Sequence, residues 1–188
     1  MSDNKVVGSA PNAFGIIGIL FVDGVTATIT HNEVSENICN IPDICGPDYF
    51  TQFQAFGIVA DSAGADSVIS KNYISNNDAG IGVVWESGCC LIDYNKLTDN
   101  RFFGIVIQDS EHIISNTKIF GGNVGVAAIA FSANTIATLD HVKIVGATIP
   151  VQEFPSGAFT AEVVILPNSF QNSKDGKPYF DSEEGVIY

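Results

Sequence analysis

One short pattern recurs along the chain about every 22 residues, and it constrains the fold more than any other feature. Each copy has two aliphatic residues five positions apart, with polar residues between and after them. The copies begin at Ile29, Ile69, Ile92, Ile114 and Leu139. A repeat of this length is typical of stacked arrays, in which no single unit can bury its own apolar face.

A second segment, rich in β-branched and apolar residues, precedes each copy of the pattern. It begins at Gly18, Gly57, Gly82 and Gly104 in four repeats, and residues 124–129 represent it in a fifth. Short runs of this kind, bounded by Gly, Asn, Asp and Ser, predict β-strands. No segment has the apolar spacing of an amphipathic helix over a useful length. The prediction is therefore an all-β solenoid, a parallel β-helix of about six coils.

The repeats also predict which side chains lie inside the coils. One inward column contains Ile29, Ile69, Ile92, Ile114 and Leu139, and the other contains Val34, Ile74, Leu97, Ile119 and Ile144. Asn occupies two further positions, at residues 32, 72 and 95 and at residues 37, 77 and 100. Because Asn suits turns and stacked amides can bond to one another, we expect these residues at the corners between strands.

The pattern, from Phe14 to about Thr148, resembles the right-handed parallel β-helix repeat proteins, a superfamily with the pectate-lyase-like fold. The resemblance implies a right-handed solenoid. It implies little about activity, because the superfamily includes polysaccharide lyases, hydrolases, epimerases, phage tailspikes and non-catalytic surface proteins. Pectate lyases typically use arginine with calcium, but the single arginine, Arg101, matches no such motif. The paired Asp and Gly-His-Gly signatures of polygalacturonases are also missing from the sequence.

The charge of the chain argues against two classes of partner. The sequence has 21 acidic and 8 basic residues, for a net charge of −13 at pH 7. Nucleic-acid binding needs a basic surface, and anionic membranes attract basic segments. We therefore expect neither nucleic acid nor a membrane as a partner. No continuous run of 18 apolar residues occurs in the sequence, so no transmembrane helix is predicted.

The predicted organisation is one β-helix over residues 1–167, with an insertion at residues 40–55 and a polar tail or end cap at residues 168–188. The first residues lack the basic region and apolar core of a signal peptide. The repeat begins almost at once, so its first coil needs a cover. A preceding segment, a partner chain in end-to-end or homo-oligomeric contact, or a loop formed by residues 1–13 could supply it. An extracellular or surface location follows if Met1 is not the native start.

The four cysteines predict no zinc site, because no CxxC pair is present. Cys39 and Cys45 bracket part of the insertion and could form a disulfide that closes this loop. Cys89 and Cys90 are adjacent, and one of them is expected to face the core. Buried free thiols or corner residues are the favoured interpretation of all four.

Four acidic residues are each expected to end the first strand of their repeat: Asp23, Asp61, Glu86 and Asp109. Neighbouring strands in register would place these carboxylates about 5 Å apart. Carboxylates at this distance raise each other's pKa or require a cation. The column therefore predicts a Ca²⁺ site at Asp61, Glu86 and Asp109, or a carboxylate pair for glycoside hydrolysis. A row of solvated acids is the simpler, favoured interpretation. Any site is expected on this face, beside the insertion.

Lysine recurs one residue before the second inward column, at Lys96, Lys118 and Lys143. A desolvated lysine can serve as the base of a polysaccharide lyase, which makes Lys118 a catalytic candidate. Charge balance is the favoured role of these lysines.

The aromatic residues supply candidates for substrate binding. Trp85 is either a core residue, which is favoured, or a stacking platform for a sugar ring. Tyr49 and Phe53 lie in the insertion and are further candidates. His31 and His141 are several coils apart and cannot share a metal ion, and His112 is expected at the surface.

Two functions remain open on these grounds. The preferred hypothesis is a non-catalytic β-helix module with a structural or surface-binding role, directed toward a polysaccharide. The alternative is a small or truncated polysaccharide lyase or glycoside hydrolase that uses the acidic column. A groove with converging acids and a base would favour the enzyme.

Overall fold

The computed structural model describes residues 1–8, 16–85 and 89–166, together with the backbone of residues 180–181 and 186–187. These residues contain strands and turns but no helix. The strands are β1 (Lys5–Val7), β2 (Ile17–Val22), β3 (Thr28–Thr30), β4 (Glu33–Ser35), β5 (Phe56–Asp61), β6 (Val68–Ser70), β7 (Tyr73–Ser75), β8 (Ala79–Val84), β9 (Leu91–Asp93), β10 (Lys96–Thr98), β11 (Phe103–Gln108), β12 (Glu111–Ser115), β13 (Lys118–Phe120), β14 (Val124–Ile129), β15 (Thr135–Asp140), β16 (Lys143–Val145), β17 (Ile149–Phe154), β18 (Ala161–Ile165), β19 (Phe180–Asp181) and β20 (Val186–Ile187).

The first eighteen strands form three parallel sheets of six strands each. Sheet 1 contains β2, β5, β8, β11, β14 and β17; sheet 2 contains β3, β6, β9, β12, β15 and β18; sheet 3 contains β1, β4, β7, β10, β13 and β16. Each coil contributes one strand to each sheet, so each strand pairs with its equivalents in the neighbouring coils. The predicted all-β parallel β-helix of about six coils is confirmed. The segment between β4 and β5 contains the 40–55 insertion, and residues 168–188 lie outside the described residues except for β19 and β20.

The core runs along the axis of the coil. Sheet 2 pairs Ile29 with Ile69, and each successive member of this column pairs with the next, as far as Leu139. Sheet 3 pairs Val34, Ile74, Leu97, Ile119 and Ile144 in the same manner. All ten side chains are buried. Both predicted inward columns are confirmed.

The Asn residues form two buried ladders at the corners of the coils. In each step the backbone N–H and the side-chain Nδ2 of one Asn donate to Oδ1 of the Asn in the next coil. The ladders run from Asn32 through Asn72 to Asn95, and from Asn37 through Asn77 to Asn100. The sequence pattern missed that Asn4 begins the first ladder. The left-handed backbone lies one residue before each Asn, as at Lys71, where φ is 56°.

Glycine sets the register of sheet 1. Gly104 lies between β8 and β14, and a Cβ added to it would lie 2.5 Å from the carbonyl oxygen of Gly125 and 2.9 Å from Cγ2 of Ile119. A side chain therefore does not fit at this level of the sheet. The other members of the column are Gly18, Gly57, Gly80 and Gly125. Gly80, not Gly82, is the equivalent of Gly104, and this shift places Trp85 level with Asp109 at the end of the strands.

Candidate functional site

The predicted acidic column is not formed by Asp61 and Asp109. Sheet 1 pairs Asp61 with Val84 and pairs Val84 with Gln108, so Asp61 lies one position before Asp109. The expected register is therefore wrong, because Asp61 follows Gly57 by four residues whereas Asp109 follows the equivalent Gly104 by five. Glu86 lies outside the described residues. Among residues 1–8, 16–85 and 89–166, no group of three or more metal-binding side chains is arranged to hold an ion. The Ca²⁺ site remains a prediction.

Trp85 occupies the corner position at which the sequence predicts an acidic residue. β8 ends at Val84, and Trp85 follows it with a φ of 54° and 53% of its surface exposed. The interpretation of Trp85 as a core residue was therefore wrong. Its indole Nε1 donates a 2.9 Å hydrogen bond to Oδ2 of Asp109. This bond holds the ring against the corner of the next coil and leaves much of its surface exposed to solvent.

Asp109 organises the loop between β14 and β15. Its Oδ1 accepts hydrogen bonds from the backbone N–H groups of Phe131, Ser132 and Ala133 at 2.7, 2.7 and 2.9 Å. Its Oδ2 accepts from Trp85, the Ser132 hydroxyl and Gln108. Burial alone would raise the pKa of Asp109, but the backbone N–H groups and Gln108 lower it to about 2. Both oxygens are thus occupied, so Asp109 positions its neighbours and is poorly placed to exchange protons with a substrate.

The 40–55 insertion folds over the outer face of sheet 1. The Tyr49 hydroxyl donates a 2.7 Å hydrogen bond to Oε1 of Gln108, and the Tyr49 ring contacts Phe103 edge-on. Burial and the nearby Asp109 carboxylate raise the pKa of the Tyr49 hydroxyl, which therefore stays protonated as a donor. The tyrosine, the Gln108 amide and Asp109 form one chain of hydrogen bonds that ends at Trp85. The structure thus brings together three predicted site residues, Tyr49, Trp85 and Asp109.

An aromatic patch, defined as Phe50, Trp85 and Phe131, lies exposed above this network. Phe50 stacks on Phe131 with ring centroids 6.1 Å apart, and 42% and 56% of their respective surfaces are exposed. Phe53, the remaining predicted binding residue, is 55% exposed. It lines an adjoining cavity of about 320 Å³ formed by residues 49–54 and Phe56, so Phe50 belongs to both the patch and this cavity. Sequence reasoning missed Phe131, because its proximity to the insertion depends on the coil-to-coil register.

Two residues that sequence reasoning did not identify as structural hold the base of the insertion. The Asp78 carboxylate is fully buried, and its Oδ2 accepts hydrogen bonds from the N–H groups of Cys39 and Ala55 at 2.8 and 3.0 Å. Arg101 Nη1 lies 3.2 Å from Oδ1 of Asp78 and donates a 2.8 Å hydrogen bond to Oδ1 of Asn40. Asp78 therefore joins the two ends of the insertion. The feature of the sequence that could have indicated this role of Asp78 is its position directly after Asn77, a residue of the second Asn ladder.

Lys118 lies away from the acids. β13 belongs to sheet 3, where Lys118 pairs with Lys96 on one side and with Lys143 on the other. Asp109 follows β11 in sheet 1, and sheet 2 lies between them along the chain. Lys96 also lies over the ring of Tyr73, with its Nζ 5.1 Å from the ring centroid. The three lysines are aligned on neighbouring strands of sheet 3, as predicted. Lys118 does not lie beside the carboxylates of Asp61 or Asp109.

A second cavity, of about 510 Å³, opens at the start of sheet 2. Its lining includes Asp66, Cys89, Cys90, Glu111 and His112. His112 is only 5% exposed, so its expected place at the surface was wrong. Its Nε2 has no hydrogen-bond partner among the residues that the structure describes. Disulfides join Cys89 to Cys90 and Cys39 to Cys45. The disulfide between Cys39 and Cys45 is the one that the sequence left open. The favoured prediction of free thiols was wrong for both pairs. Cys90 faces the core, as expected of one of the adjacent pair.

Burial of His112 predicts a loss of stability in acid. Burial lowers the pKa of His112 from 6.5 to about 4. The unfolded chain therefore binds this proton more tightly, and the folded state loses about 3 kcal/mol as the pH falls from 6.5 to 4. Urea unfolding across this range should show a smaller loss for His112→Gln than for the wild type. The exposed His141→Asn variant serves as a control, and an equal loss in wild type and His112→Gln would contradict the prediction.

Comparison with known families agrees with this geometry. The family model for the right-handed β-helix region matches residues 1–149. The chain belongs to the right-handed β-helix family. No curated protein and no solved structure gives a significant match to it. For this β-helix protein, no helix in the described residues is long and apolar enough to cross a membrane.

Proposed function

We propose that this β-helix protein is a non-catalytic module that binds a neutral polysaccharide through the aromatic patch of Phe50, Trp85 and Phe131. The observation that carries the proposal is the exposure of these rings on a hydrogen-bonded support. An aromatic face carries partial negative charge, which complements the C–H groups on the face of a sugar ring. Rings that are held in place before binding lose little conformational entropy when the ligand arrives.

The arrangement of the patch suits a linear ligand. Trp85 is equivalent to Asp109 of the next coil. In the following coil, Phe131 lies one residue beyond the residue that is equivalent to Asp109. The two corner positions are therefore about 10 Å apart along the axis, twice the strand spacing. Two platforms on one line suit two sugar units of an extended chain. The net charge of −13 disfavours a polyanionic chain and supports a neutral one.

The enzymatic alternative, a polysaccharide lyase or glycoside hydrolase, has less support. Asp109 is held as a hydrogen-bonded anion, and Asp61 lies one register position away from its column. The base candidate Lys118 lies in sheet 3. Among the described residues, the predicted acids and base do not converge on one groove.

Titration with polysaccharides tests the proposal directly, because Trp85 is the only tryptophan of the chain. Binding should change the intrinsic fluorescence. Trp85→Asn and Phe131→Ala should each weaken binding about tenfold, measured by calorimetry, because each removes one stacking platform. Asn is chosen since it tolerates the left-handed backbone at residue 85.

Tyr94→Asn provides the matched control. Tyr94 is also an exposed corner aromatic with positive φ, but it follows β9 in sheet 2. The Tyr94→Asn variant should bind the polysaccharide with the same affinity as the wild type. Equal weakening in all three variants, or binding without a fluorescence change, would contradict the proposed surface. Release of reducing ends or unsaturated sugars by the wild type would instead establish the enzymatic alternative.

A further inference from the structure

The outer face of sheet 2 presents a row of side chains that polysaccharide binding does not use. β6, β9, β12, β15 and β18 each contribute one outward residue to it, and the register of the sheet places these residues side by side. The row contains Val68, Leu91, Ile113, Thr138 and Val164. Leu91 and Ile113 are 51% and 55% exposed. Adjoining aliphatic side chains that remain exposed are typical of a surface that binds a partner.

Acidic side chains lie on both sides of this apolar row. On the strand-start side, two residues before members of the row, are the exposed acids Asp66, Glu111 and Glu162. Within the part of the chain that the structure describes, no salt bridge involves these three carboxylates. On the strand-end side, two residues after the row, are Asp93 and Asp140. Lys71 and His141 follow one residue later, at the corner. The face is therefore an apolar row between two acidic rows.

We propose that this face of sheet 2 binds an amphipathic α-helix of a partner protein, with an apolar stripe flanked by Lys and Arg. The two acidic rows are separated by four residues along the strands, which corresponds to about 13 Å. A helix with its side chains is about 10–12 Å across. Basic side chains on both flanks of the helix therefore reach the acids while the apolar stripe covers the row.

The length of the row sets the length of the helix. Five neighbouring strands at a spacing of about 4.8 Å give the row a length of about 19 Å. At about 1.5 Å per residue, a helix of about 13 residues covers it. Between Asp66, Leu91, Glu111 and Ile113 the face is concave, with a cavity of about 510 Å³. This space accommodates a long side chain, and its acidic rim suits Lys or Arg.

The charge of the whole chain favours the same partner. A net charge of −13 attracts a basic segment and repels an acidic one, which speeds the encounter with a basic helix. The aromatic patch lies beyond the strands of sheet 1, on another side of the coil. Binding of a helix to sheet 2 therefore does not depend on the proposed polysaccharide site.

Titration with a synthetic amidated peptide tests the proposal. The peptide has about 14 residues, all Leu and Lys, with Leu at helical spacing. Calorimetry should show one peptide bound per chain. Circular dichroism should show a gain of helix on binding, because an isolated helix of this length is marginal in water. A scrambled peptide of the same composition should bind more weakly, and equal binding of the two peptides would overturn the helical partner.

Leu91→Ser/Ile113→Ser should weaken binding about tenfold or more, since it removes the exposed centre of the row. Leu20→Ser/Val7→Ser is the matched control, because these two residues are 51% and 45% exposed but lie in sheets 1 and 3. The control should bind as tightly as the wild type. Unchanged affinity in Leu91→Ser/Ile113→Ser would overturn the site. Circular dichroism of each variant alone shows whether it keeps its β-sheet signal.

The acidic rows are tested with a second pair of variants. Glu111→Gln/Glu162→Gln should weaken binding about threefold and reduce its salt dependence, because both acids flank the row. Asp23→Asn/Asp43→Asn removes two exposed acids that lie away from this face and should have a smaller effect. Equal weakening in the two variants would mean that net charge alone attracts the peptide, which would overturn the proposal.

Light scattering distinguishes the partner helix from a second copy of the chain. The wild type should remain monomeric at the concentrations used for the titration. Dimerisation of the wild type that is lost in Leu91→Ser/Ile113→Ser would show that a second copy covers this face, and the proposed helix would then be wrong.

Discussion

Replacing Asp78 by Ala is expected to lower the free energy of unfolding by about 2–5 kcal/mol, because two buried backbone N–H groups lose their acceptor. The carboxylate is fully buried and accepts from the N–H groups at both ends of the insertion, at Cys39 and Ala55. Its burial raises the pKa of Asp78 even though these bonds and Arg101 lower it. The variant would leave two buried donors without an acceptor and Arg101 without its carboxylate partner.

Urea unfolding measures this loss, and hydrogen exchange at the amides of Cys39 and Ala55 locates it. Both amides should exchange faster in Asp78→Ala, because the insertion is no longer held at its base. Asp61→Ala is the control, since Asp61 is partly exposed and its carboxylate accepts a bond from the hydroxyl of Ser62. Equal stability of the two variants would show that Asp78 does not hold the insertion in place.

Replacing Ile92 by Ala is expected to cost about 2–5 kcal/mol, as truncations of buried aliphatic side chains do. Ile92 has no exposed surface and lies between Ile69 and Ile114 in the sheet 2 column. The neighbouring coils are fixed by backbone hydrogen bonds on both sides, so the cavity cannot collapse easily. Chemical denaturation gives the difference in the free energy of unfolding.

Leu91→Ala is the matched control for this prediction. Leu91 precedes Ile92 in β9 but points outward, with 51% of its surface exposed. Because alternate residues of a strand face opposite sides, the two variants differ in which side of the sheet loses its side chain. Leu91→Ala should change stability by about 0.5 kcal/mol or less. A similar loss in both variants would mean that the aliphatic column does not dominate the stability of the coil.

The apolar columns could be predicted because the repeat itself contains their geometry. Two aliphatic residues five apart, with a polar corner between them, fit two short strands that both point inward, and five copies agree on it. The two Asn ladders could be predicted for the same reason, because Asn recurs at the same two positions of the repeat. Stacking identical residues at one level of each coil is what turns the repeat into a continuous core.

The register of sheet 1 could not be read in the same way. Gly80 and Gly82 are both glycines at the start of an apolar run, and the sequence does not distinguish them. The choice depends on which of them lies against the carbonyl of Gly104, where a Cβ would come within 2.5 Å. This two-residue shift moved Trp85 into the position expected for an acid. Asp61 is separated from Asp109 for a different reason, because it follows Gly57 by four residues whereas Asp109 follows Gly104 by five.

The sequence by itself determined the solenoid, its coil count, its inward columns and its corner amides, because each depends on contacts between equivalent residues of adjacent repeats. The tertiary structure alone decided the sites, because each depends on residues that are not equivalent. Asp78 meets the ends of an insertion, Asp109 meets the loop around Ser132, and the His112 imidazole is buried beside a cysteine pair. A periodic pattern contains no information about such contacts, since they occur once and join distant parts of the chain.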